Sequence, residues 1–289
     1  MSMTSSAFTE HRVPSGDGEV FVRDHAGKGD AFVLMHGFPD NHHIYDALVP
    51  HLVAAGRRVV VFDFRGFGQS SRTPGATYTF DQQRDDLASV VMALGLAKIV
   101  PVAHDASGPA ALNFALEHPD KVSAVCMLNS LYAAGSNIRV PELVMLFASA
   151  NLDPLSYAIL NDPAQFGWLL RFQQDMFRTA LPEARRAAFD TTASIIIENF
   201  TGEHHAREAF RQLAAGLLPE VGKNTAQIAR LSTLTVPVKL IWGEFDPYLN
   251  PGVANDLLPY LPNATLHTLP AGHWLQLDLP ADVARLMLA

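Results

Sequence analysis

Three polar side chains, each following a short apolar run, could together carry out nucleophilic catalysis. Asp105 lies in the segment Val102–Gly108, directly after a predicted strand and directly before a predicted helix. A side chain at such a turn projects from the top of the sheet, and its neighbours must be small because the turn is strained. Asp246 and His273 each follow a further apolar run. This order along the chain, a nucleophile, an acid and then a histidine, predicts covalent catalysis with the histidine as base.

Each of these residues also has an alternative interpretation. Asp105 could cap the following helix, Asp246 could be a turn residue, and His273 could be an ordinary loop histidine. Ser107 is a rival nucleophile, although the proline two residues later fits poorly in the turn. Glu244 is a rival acid partner for the histidine. We prefer the first interpretation because its three residues follow predicted strands in the order that the mechanism needs.

A loop after the first buried run could supply backbone hydrogen-bond donors. The segment His36-Gly37-Phe38-Pro39 comes directly after a run that ends at Met35. Glycine and proline force a sharp loop at the sheet edge, so the backbone N–H of Phe38 can point inward and join that of Ala106. Two such N–H groups stabilise the oxyanion that forms when an ester is hydrolysed. We expect His36 to hold this loop by hydrogen bonds and to border the pocket.

The apolar runs before these residues are continuous, as expected for strands buried on both faces of a parallel sheet. Helical patterns lie between them, which is typical of a doubly wound α/β sheet. An antiparallel hairpin is predicted at the edge of the sheet. The predicted strands are 8–14 and 19–24 (the hairpin), 31–35, 58–62, 98–103, 122–128, 238–242 and 264–269, and the predicted helices are 45–55, 80–94 and 107–118.

A segment without strand signals interrupts this alternation between about Ala134 and Thr225. Roughly 90 residues are too many for a loop, so we predict a helical cap inserted over the carboxyl edge of the sheet, where ligands bind. Its predicted helices are 163–179, 182–199 and 205–215. The predicted core domain comprises residues 1–134 and 225–289, and the predicted cap comprises residues 135–224.

Several aromatic and histidine side chains are candidates for a substrate pocket between the cap and the sheet. A cap must present some apolar side chains to the sheet, and Trp168 and Phe172 are our choice among them. His104 precedes the nucleophile and is expected near the mouth of the pocket. The complete predicted set is His36, His104, Tyr157, Trp168, Phe172 and Trp274.

The composition disfavours several other classes of function. The net charge of the 289 residues is −8, without a basic run, which disfavours nucleic-acid binding. The single cysteine, Cys126, can form no internal disulfide and is expected to be buried in a strand. No apolar stretch approaches the roughly 20 residues of a membrane span, and no targeting segment is recognisable. We predict a cytoplasmic monomer or homodimer without a metal site, in which Glu203, His204 and His205 form a solvated helix start.

Five short motifs follow one another in a defined order: His36-Gly37-Phe38-Pro39, Asp63-Phe64-Arg65-Gly66-Phe67-Gly68-Gln69-Ser70, His104-Asp105, Asp246 and Gly272-His273. They resemble those of α/β-hydrolase fold enzymes, in the branch with an aspartate nucleophile that contains epoxide hydrolases, haloalkane dehalogenases and haloacetate dehalogenases. The resemblance covers nearly the whole chain. It implies an eight-stranded, mostly parallel, doubly wound sheet with an inserted helical cap and a mechanism without cofactors.

The implied substrate is a small apolar electrophile. Asp105 would attack it at carbon to form an alkyl ester, which water activated by His273 then hydrolyses. This sequence departs from the relatives it resembles at two positions. Ala106 stands where haloalkane dehalogenases and many epoxide hydrolases have tryptophan, and Phe38 stands where haloalkane dehalogenases usually have asparagine. No arginine follows the nucleophile to bind the carboxylate of a haloacetate.

Epoxide hydrolases of this branch protonate the leaving alkoxide with two cap tyrosines, and Tyr157 is the candidate here, helped by Tyr132 or His104. We therefore predict hydrolysis of an epoxide to a diol first, and of a haloalkane or haloacetate second. A Ser107-based esterase is an alternative. A non-catalytic binding protein with this fold is a further alternative, which is disfavoured because a receptor has no need of all three catalytic side chains.

Overall fold

Eight strands form one sheet in the computed structural model, which describes residues 7–201 and 205–289. The strands are β1 Thr9–Ser15, β2 Gly18–His25, β3 Lys28–Met35, β4 Arg57–Asp63, β5 Ile99–Asp105, β6 Val125–Ser130, β7 Val238–Gly243 and β8 Ala264–Leu269. Their order across the sheet is β1-β2-β4-β3-β5-β6-β7-β8. The β1–β2 and β2–β4 pairs are antiparallel and the other neighbouring pairs are parallel, so the predicted sheet is confirmed.

The central strands are apolar on both faces because both faces of the sheet are covered. Every residue of β6 is buried, and so is every residue of β5 except Asp105 at its end. The predicted strand 122–128 starts later, at Val125, and Val122 instead forms an isolated bridge to Ile99. Because β3 to β8 are parallel, the residues that follow these strands all lie at the same carboxyl edge of the sheet.

Eleven α-helices occur among the described residues: α1 Val49–Ala54, α2 Phe80–Ala93, α3 Gly108–Glu117, α4 Glu142–Ala148, α5 Asp153–Asn161, α6 Pro163–Ala180, α7 Phe189–Glu198, α8 Arg207–Ala226, α9 Pro251–Leu257, α10 Leu275–Asp278 and α11 Pro280–Leu288. The predicted helix 45–55 is shorter than expected. A 3-10 turn occupies His42–Tyr45, and α1 begins at Val49 with Pro50 in its first turn, where the missing N–H costs no hydrogen bond.

Helices α4 to α8 occupy the segment between β6 and β7, and its described residues contain no strand. The predicted helix 182–199 begins instead as a 3-10 turn, Glu183–Ala188, which precedes α7. Helix α8 continues well past its predicted end at 215 and through Pro219, and it packs against both α4 and α2. The division into a core domain and a cap stays a prediction.

Three further expectations concern composition. Cys126 is buried in β6, as predicted. Across the described ranges, no single helix is long and apolar enough to span a membrane, and one pair bent by 87°, Glu142–Ala148 with Ala150–Asn161, meets the length and composition test only jointly. No group of three His, Cys, Asp or Glu side chains within those ranges could hold a metal ion. Glu203 and His204 lie outside the described residues.

Candidate active site

Asp105 ends β5 and stands at a sharp turn before α3. Its φ angle is +53°, in the left-handed region that residues other than glycine rarely adopt. The carbonyl oxygen of Asp105 accepts hydrogen bonds from Ser130 Oγ at 2.6 Å and from the Leu131 amide at 3.2 Å. A Cβ on Gly108 would lie 2.0 Å from the Leu131 carbonyl oxygen, so the first residue of α3 has to be glycine. The predicted strand-to-helix turn is therefore present, and Asp105 is its strained residue.

The carboxylate of Asp105 faces the loop that follows β3. The amide nitrogen of Phe38 lies 3.4 Å from Asp105 Oδ2, and the Ala106 amide also donates to this carboxylate. A Cβ on Gly37 would come within 2.4 Å of Asp105 Cβ, so only glycine permits this approach. Burial raises the pKa of Asp105, and His273 together with these two amides opposes that rise. The two amides that the sequence predicts as an oxyanion hole thus meet at the predicted nucleophile.

His273 and Asp246 form a short, buried hydrogen-bonded pair. His273 Nδ1 lies 2.6 Å from Asp246 Oδ2, which also accepts from Asn129 Nδ2 at 2.7 Å. The amides of Tyr248 and Leu249 donate to Asp246 Oδ1, each at 2.9 Å. Burial opposes ionisation of Asp246, but His273 and these donors outweigh it and lower the pKa of Asp246. Asp246 is therefore a fixed anion beside the imidazole.

The same anion changes the basicity of His273. Burial favours the neutral imidazole, but the charges of Asp246 and Asp105 outweigh burial and raise the pKa of His273 to about 9. Esterification of Asp105 would remove one of these two charges. The pKa of His273 would then fall toward a value at which the imidazole can accept a proton from water.

The two rival residues occupy different surroundings. Ser107 Oγ is buried, lies 2.8 Å from the His104 carbonyl oxygen and 3.1 Å from that of Met35, and accepts from the His104 amide at 2.9 Å. Its hydroxyl therefore stabilises the turn instead of facing His273. Glu244 is exposed and does not line the cavity.

His36 and His104 are fully buried and do not line the cavity, which corrects their prediction as pocket residues. His36 accepts from the Phe64 amide at 3.1 Å through Nε2, and its Nδ1 lies 2.5 Å from the Gly37 carbonyl oxygen. Both ring nitrogens of His36 are occupied in fixing the loop before Phe38. His104 packs beneath His273, with ring centroids 4.6 Å apart.

A cavity opens above the Asp105 carboxylate, between the carboxyl edge of the sheet and helices α4, α6, α7 and α8. Most of its lining is apolar. Trp274 is the one predicted pocket residue that lines it. The polar side chains of the lining are Asp40, Asp105, Arg139, Gln173, Gln174, Tyr248 and His273.

Three cap residues predicted for the pocket lie elsewhere. Tyr157 and Trp168 are each 60% exposed, and Phe172 is 37% exposed and stacked on Trp168 with ring centroids 5.8 Å apart. For Trp168 and Phe172 the reason is the helical period of α6, whose buried stripe runs along the opposite face, whereas Tyr157 lies on α5. Phe177 lies on the buried face of α6, one turn after Gln173, and contacts His273 with ring centroids 5.1 Å apart.

The sequence interpretation missed Tyr248, which lines the cavity in the loop after β7. Its hydroxyl lies 2.5 Å from Glu142 Oε2 and accepts from Gln173 Nε2 at 2.7 Å. The guanidinium of Arg139 sits 5.0 Å above its ring centroid. The sequence does contain a signal for Tyr248, because it follows Asp246 by two residues and must lie at the same edge of the sheet. Tyr132, by contrast, is buried and donates to Asn113 Oδ1.

Asp40 is a second missed residue of the cavity. It follows directly on the loop that carries Phe38, and its Oδ2 accepts from Trp274 Nε1 at 3.0 Å. Asp40 Oδ1 is buried without a hydrogen-bond partner among the described residues. A carboxyl group directly after the oxyanion loop was the available signal in the sequence.

Comparison with known proteins agrees with this architecture. A family model described as "alpha/beta hydrolase fold" matches residues 30–280. Cfl2 from Burkholderia cenocepacia superposes with a TM-score of 0.79 at 20% identity, covering 98% of this chain and 95% of that one. At 20% identity, this similarity shows a shared fold and nothing about activity.

Two curated relatives have named activities. The chain is 24% identical to bifunctional epoxide hydrolase 2 of Sus scrofa over 310 residues, covering 91% of this chain and 51% of the relative. It is 36% identical to fluoroacetate dehalogenase of a Burkholderia species over 107 residues, covering 36% of this chain and 35% of the relative. The chain thus spans about half the length of the porcine relative and matches a third of the bacterial one.

Proposed function

The chain belongs to the α/β-hydrolase fold family, and we propose that it hydrolyses a small apolar epoxide to a diol through a covalent ester on Asp105. The observation that carries this proposal is the identity of the residue at the strained turn. That residue is a carboxylate, it faces the Phe38 and Ala106 amides, and it lies in one cavity with His273. A carboxylate can attack saturated carbon and leave an ester that water can hydrolyse.

In the first half-reaction, a carboxylate oxygen of Asp105 attacks a ring carbon of the epoxide. The carbon–oxygen bond of the ring breaks, and the alkoxide that leaves takes a proton from the Tyr248 hydroxyl. This role of Tyr248 requires its O–H to turn from Glu142 toward the substrate. The product is an alkyl ester of Asp105 with a free hydroxyl on the neighbouring carbon.

In the second half-reaction, His273 first gives its proton through solvent to the Tyr248 phenolate, because esterification of Asp105 has lowered its pKa. The neutral imidazole then takes a proton from water, and the hydroxide formed attacks the carbonyl carbon of the ester. The Phe38 and Ala106 amides stabilise the resulting oxyanion. Collapse of this intermediate releases the diol, restores the Asp105 carboxylate and leaves His273 protonated, as it was at the start. The sum is epoxide plus water giving diol, which requires no metal or organic cofactor.

The hydrogen bonds of the cavity favour an epoxide over a haloalkane. A departing halide needs donors, but the indole N–H of Trp274 is donated to Asp40 and the two amides are committed to the Asp105 carboxylate. The Tyr248 O–H is also donated, to Glu142, but a departing alkoxide is basic enough to take that proton, whereas a departing halide is not. The hydrogen bonds of Ser107 within the turn likewise favour Asp105 over a serine-based esterase.

Dehalogenation of a haloacid is the second candidate function. Arg139 lines the cavity and pairs with Glu142, and its guanidinium is a cation that a substrate carboxylate would bind in competition with Glu142. This arginine lies after β6, far along the chain from the residues that directly follow Asp105. The similarity to fluoroacetate dehalogenase over 107 residues supports the same candidate.

A panel of substrates tests the proposal. Styrene oxide, 1-bromobutane, chloroacetate and p-nitrophenyl acetate are offered to the wild type, to Asp105→Ala and to Ser107→Ala. We expect the highest kcat/KM with styrene oxide, its loss in Asp105→Ala and its retention in folded Ser107→Ala. Faster halide release than diol formation would overturn the order of substrates, and ester hydrolysis that needs Ser107 and not Asp105 would overturn the proposed nucleophile.

A further inference from the structure

Three buried side chains behind His273 form a cluster that the mechanism above does not use. They are Asp40, His104 and Trp274, and none of them is more than 5% exposed. His104 Nε2 lies 3.0 Å from the carbonyl oxygen of His273, and Trp274 Nε1 lies 3.0 Å from Asp40 Oδ2. The cluster therefore contacts the backbone of His273, the proposed base, and includes Trp274, the residue that follows it.

The hydrogen bonds of His104 determine where its proton resides. A carbonyl oxygen can only accept, so the Nε2 of His104 must carry the proton that it donates to His273. Burial lowers the pKa of His104 well below its usual value, which leaves the ring neutral with a lone pair on Nδ1. This Nδ1 has no hydrogen-bond partner among the described residues and lies 3.6 Å from Asp40 Oδ2.

An ionised Asp40 would therefore point a second lone pair at that of His104. Two buried acceptors in this position repel each other and are both left unsatisfied. One proton on Asp40 removes the conflict. A proton on Oδ2 would be donated to His104 Nδ1 after a small rotation that shortens the 3.6 Å separation, and a lone pair of the same oxygen would keep the hydrogen bond from Trp274.

We propose that Asp40 is a positioning residue which, as a neutral carboxylic acid, links His104 and Trp274 and so holds His273 in place for the hydrolysis of the ester. This inference rests on the proposed function of the site. The chain of hydrogen bonds runs from Trp274 through Asp40 and His104 to the backbone of His273. His273 and Trp274 also contact each other edge to face, with ring centroids 4.6 Å apart.

The electrostatic surroundings of Asp40 agree with this protonation state. Burial raises the pKa of Asp40 to about 7, the charge of Asp105 adds to the rise, and Trp274 and His273 oppose it. The other titratable groups that face it are His104 and Tyr45. The neutral form predominates below about pH 7, so we expect the link to weaken as the pH rises through that value.

Two substitutions of Asp40 separate the proton from the charge. Asparagine has a donor and an acceptor at every pH, and with its amide turned so that the NH2 group faces His104 and the oxygen faces Trp274 it can make both hydrogen bonds. Alanine can do neither. Asp46→Asn is the matched control, since Asp46 is an exposed carboxylate close by in the chain, in a pair with His43.

Rapid-mixing kinetics with styrene oxide measures the hydrolysis of the alkyl-enzyme directly. We expect Asp40→Ala to slow this step by about 10- to 100-fold, with a smaller effect on ester formation, because misplacing the base costs rates of this order. Asp40→Asn should recover most of the loss and should lack the decrease above about pH 7 that the wild type and Asp46→Asn show. If Asp40→Asn is no faster than Asp40→Ala, or keeps the decrease, the proposal is wrong.

Infrared spectroscopy of the resting enzyme tests the same proton without turnover. We expect the wild type at pH 6 to show a carbonyl band of a protonated carboxylic acid that is missing in Asp40→Asn and that fades on titration through about pH 7. Identical spectra for the wild type and Asp40→Asn would overturn the proposal. If the band behaves as expected but the enzyme is inactive on epoxides, Asp40 is a neutral acid as proposed and the proposed function is wrong.

Discussion

The proposed mechanism assigns His273 to the second half-reaction alone. The imidazole activates water, whereas formation of the ester needs only the Asp105 carboxylate and a proton donor. We therefore expect His273→Gln to form the ester and then stop. Mass spectrometry of this variant with styrene oxide should show protein plus one substrate mass, whereas unchanged steady-state turnover would remove His273 from the mechanism.

Tyr248 replaces Tyr157 as the residue expected to protonate the leaving oxygen. We predict that Tyr248→Phe lowers kcat for styrene oxide by about 100- to 1,000-fold, which is typical for the loss of one transition-state donor. Tyr157→Phe is the matched control, because this tyrosine is 60% exposed and does not line the cavity. Equal rates for the two variants would show that the leaving oxygen takes its proton elsewhere.

At the scale of the elements, the loop after β3 has to approach the turn after β5 very closely. We expect Gly37→Ala to push the two apart, since its Cβ would lie 2.4 Å from Asp105 Cβ, and to lower kcat by about 100-fold through loss of the Phe38 donor. Gly222→Ala in α8 is the control, because open space surrounds that position. It should keep full activity and gain up to about 1 kcal/mol of stability, and a fully active Gly37→Ala would contradict the assigned oxyanion hole.

The sequence was most informative where an element ends. Asp105 ends a strand, and Asp246 and His273 follow strands. Parallel strands bring their carboxyl ends to one edge, so the meeting of these residues could be predicted from their order alone. The pocket residues of the predicted cap could not be predicted in this way, because the face of α6 that meets the cavity depends on how the helices pack. The spacing of Phe166, Leu170 and Gln173 marks the buried face of α6, and the predicted pocket residues Trp168 and Phe172 lie on the exposed one.

At the scale of the whole molecule, the ion pair of His273 links stability to pH. Its pKa is about 9 in the folded protein and about 6.5 in an unfolded chain, so the stabilisation is complete below pH 6.5 and is lost as the pH rises through 9. We predict that the free energy of unfolding of the wild type decreases between pH 6.5 and 9. His273→Gln should lack that decrease in denaturant titrations, and parallel curves for the two proteins would contradict the pair.

The central claim is that water oxygen enters the protein before it enters the product. Hydroxide attacks the carbonyl carbon of the ester, so one carboxylate oxygen of Asp105 must come from water after a single turnover. The measurement is a single turnover of styrene oxide in water enriched in oxygen-18, followed by peptide mass spectrometry. The account predicts a mass increase confined to the peptide that contains Asp105, with the diol unlabelled. Label in the diol and none in that peptide would contradict it.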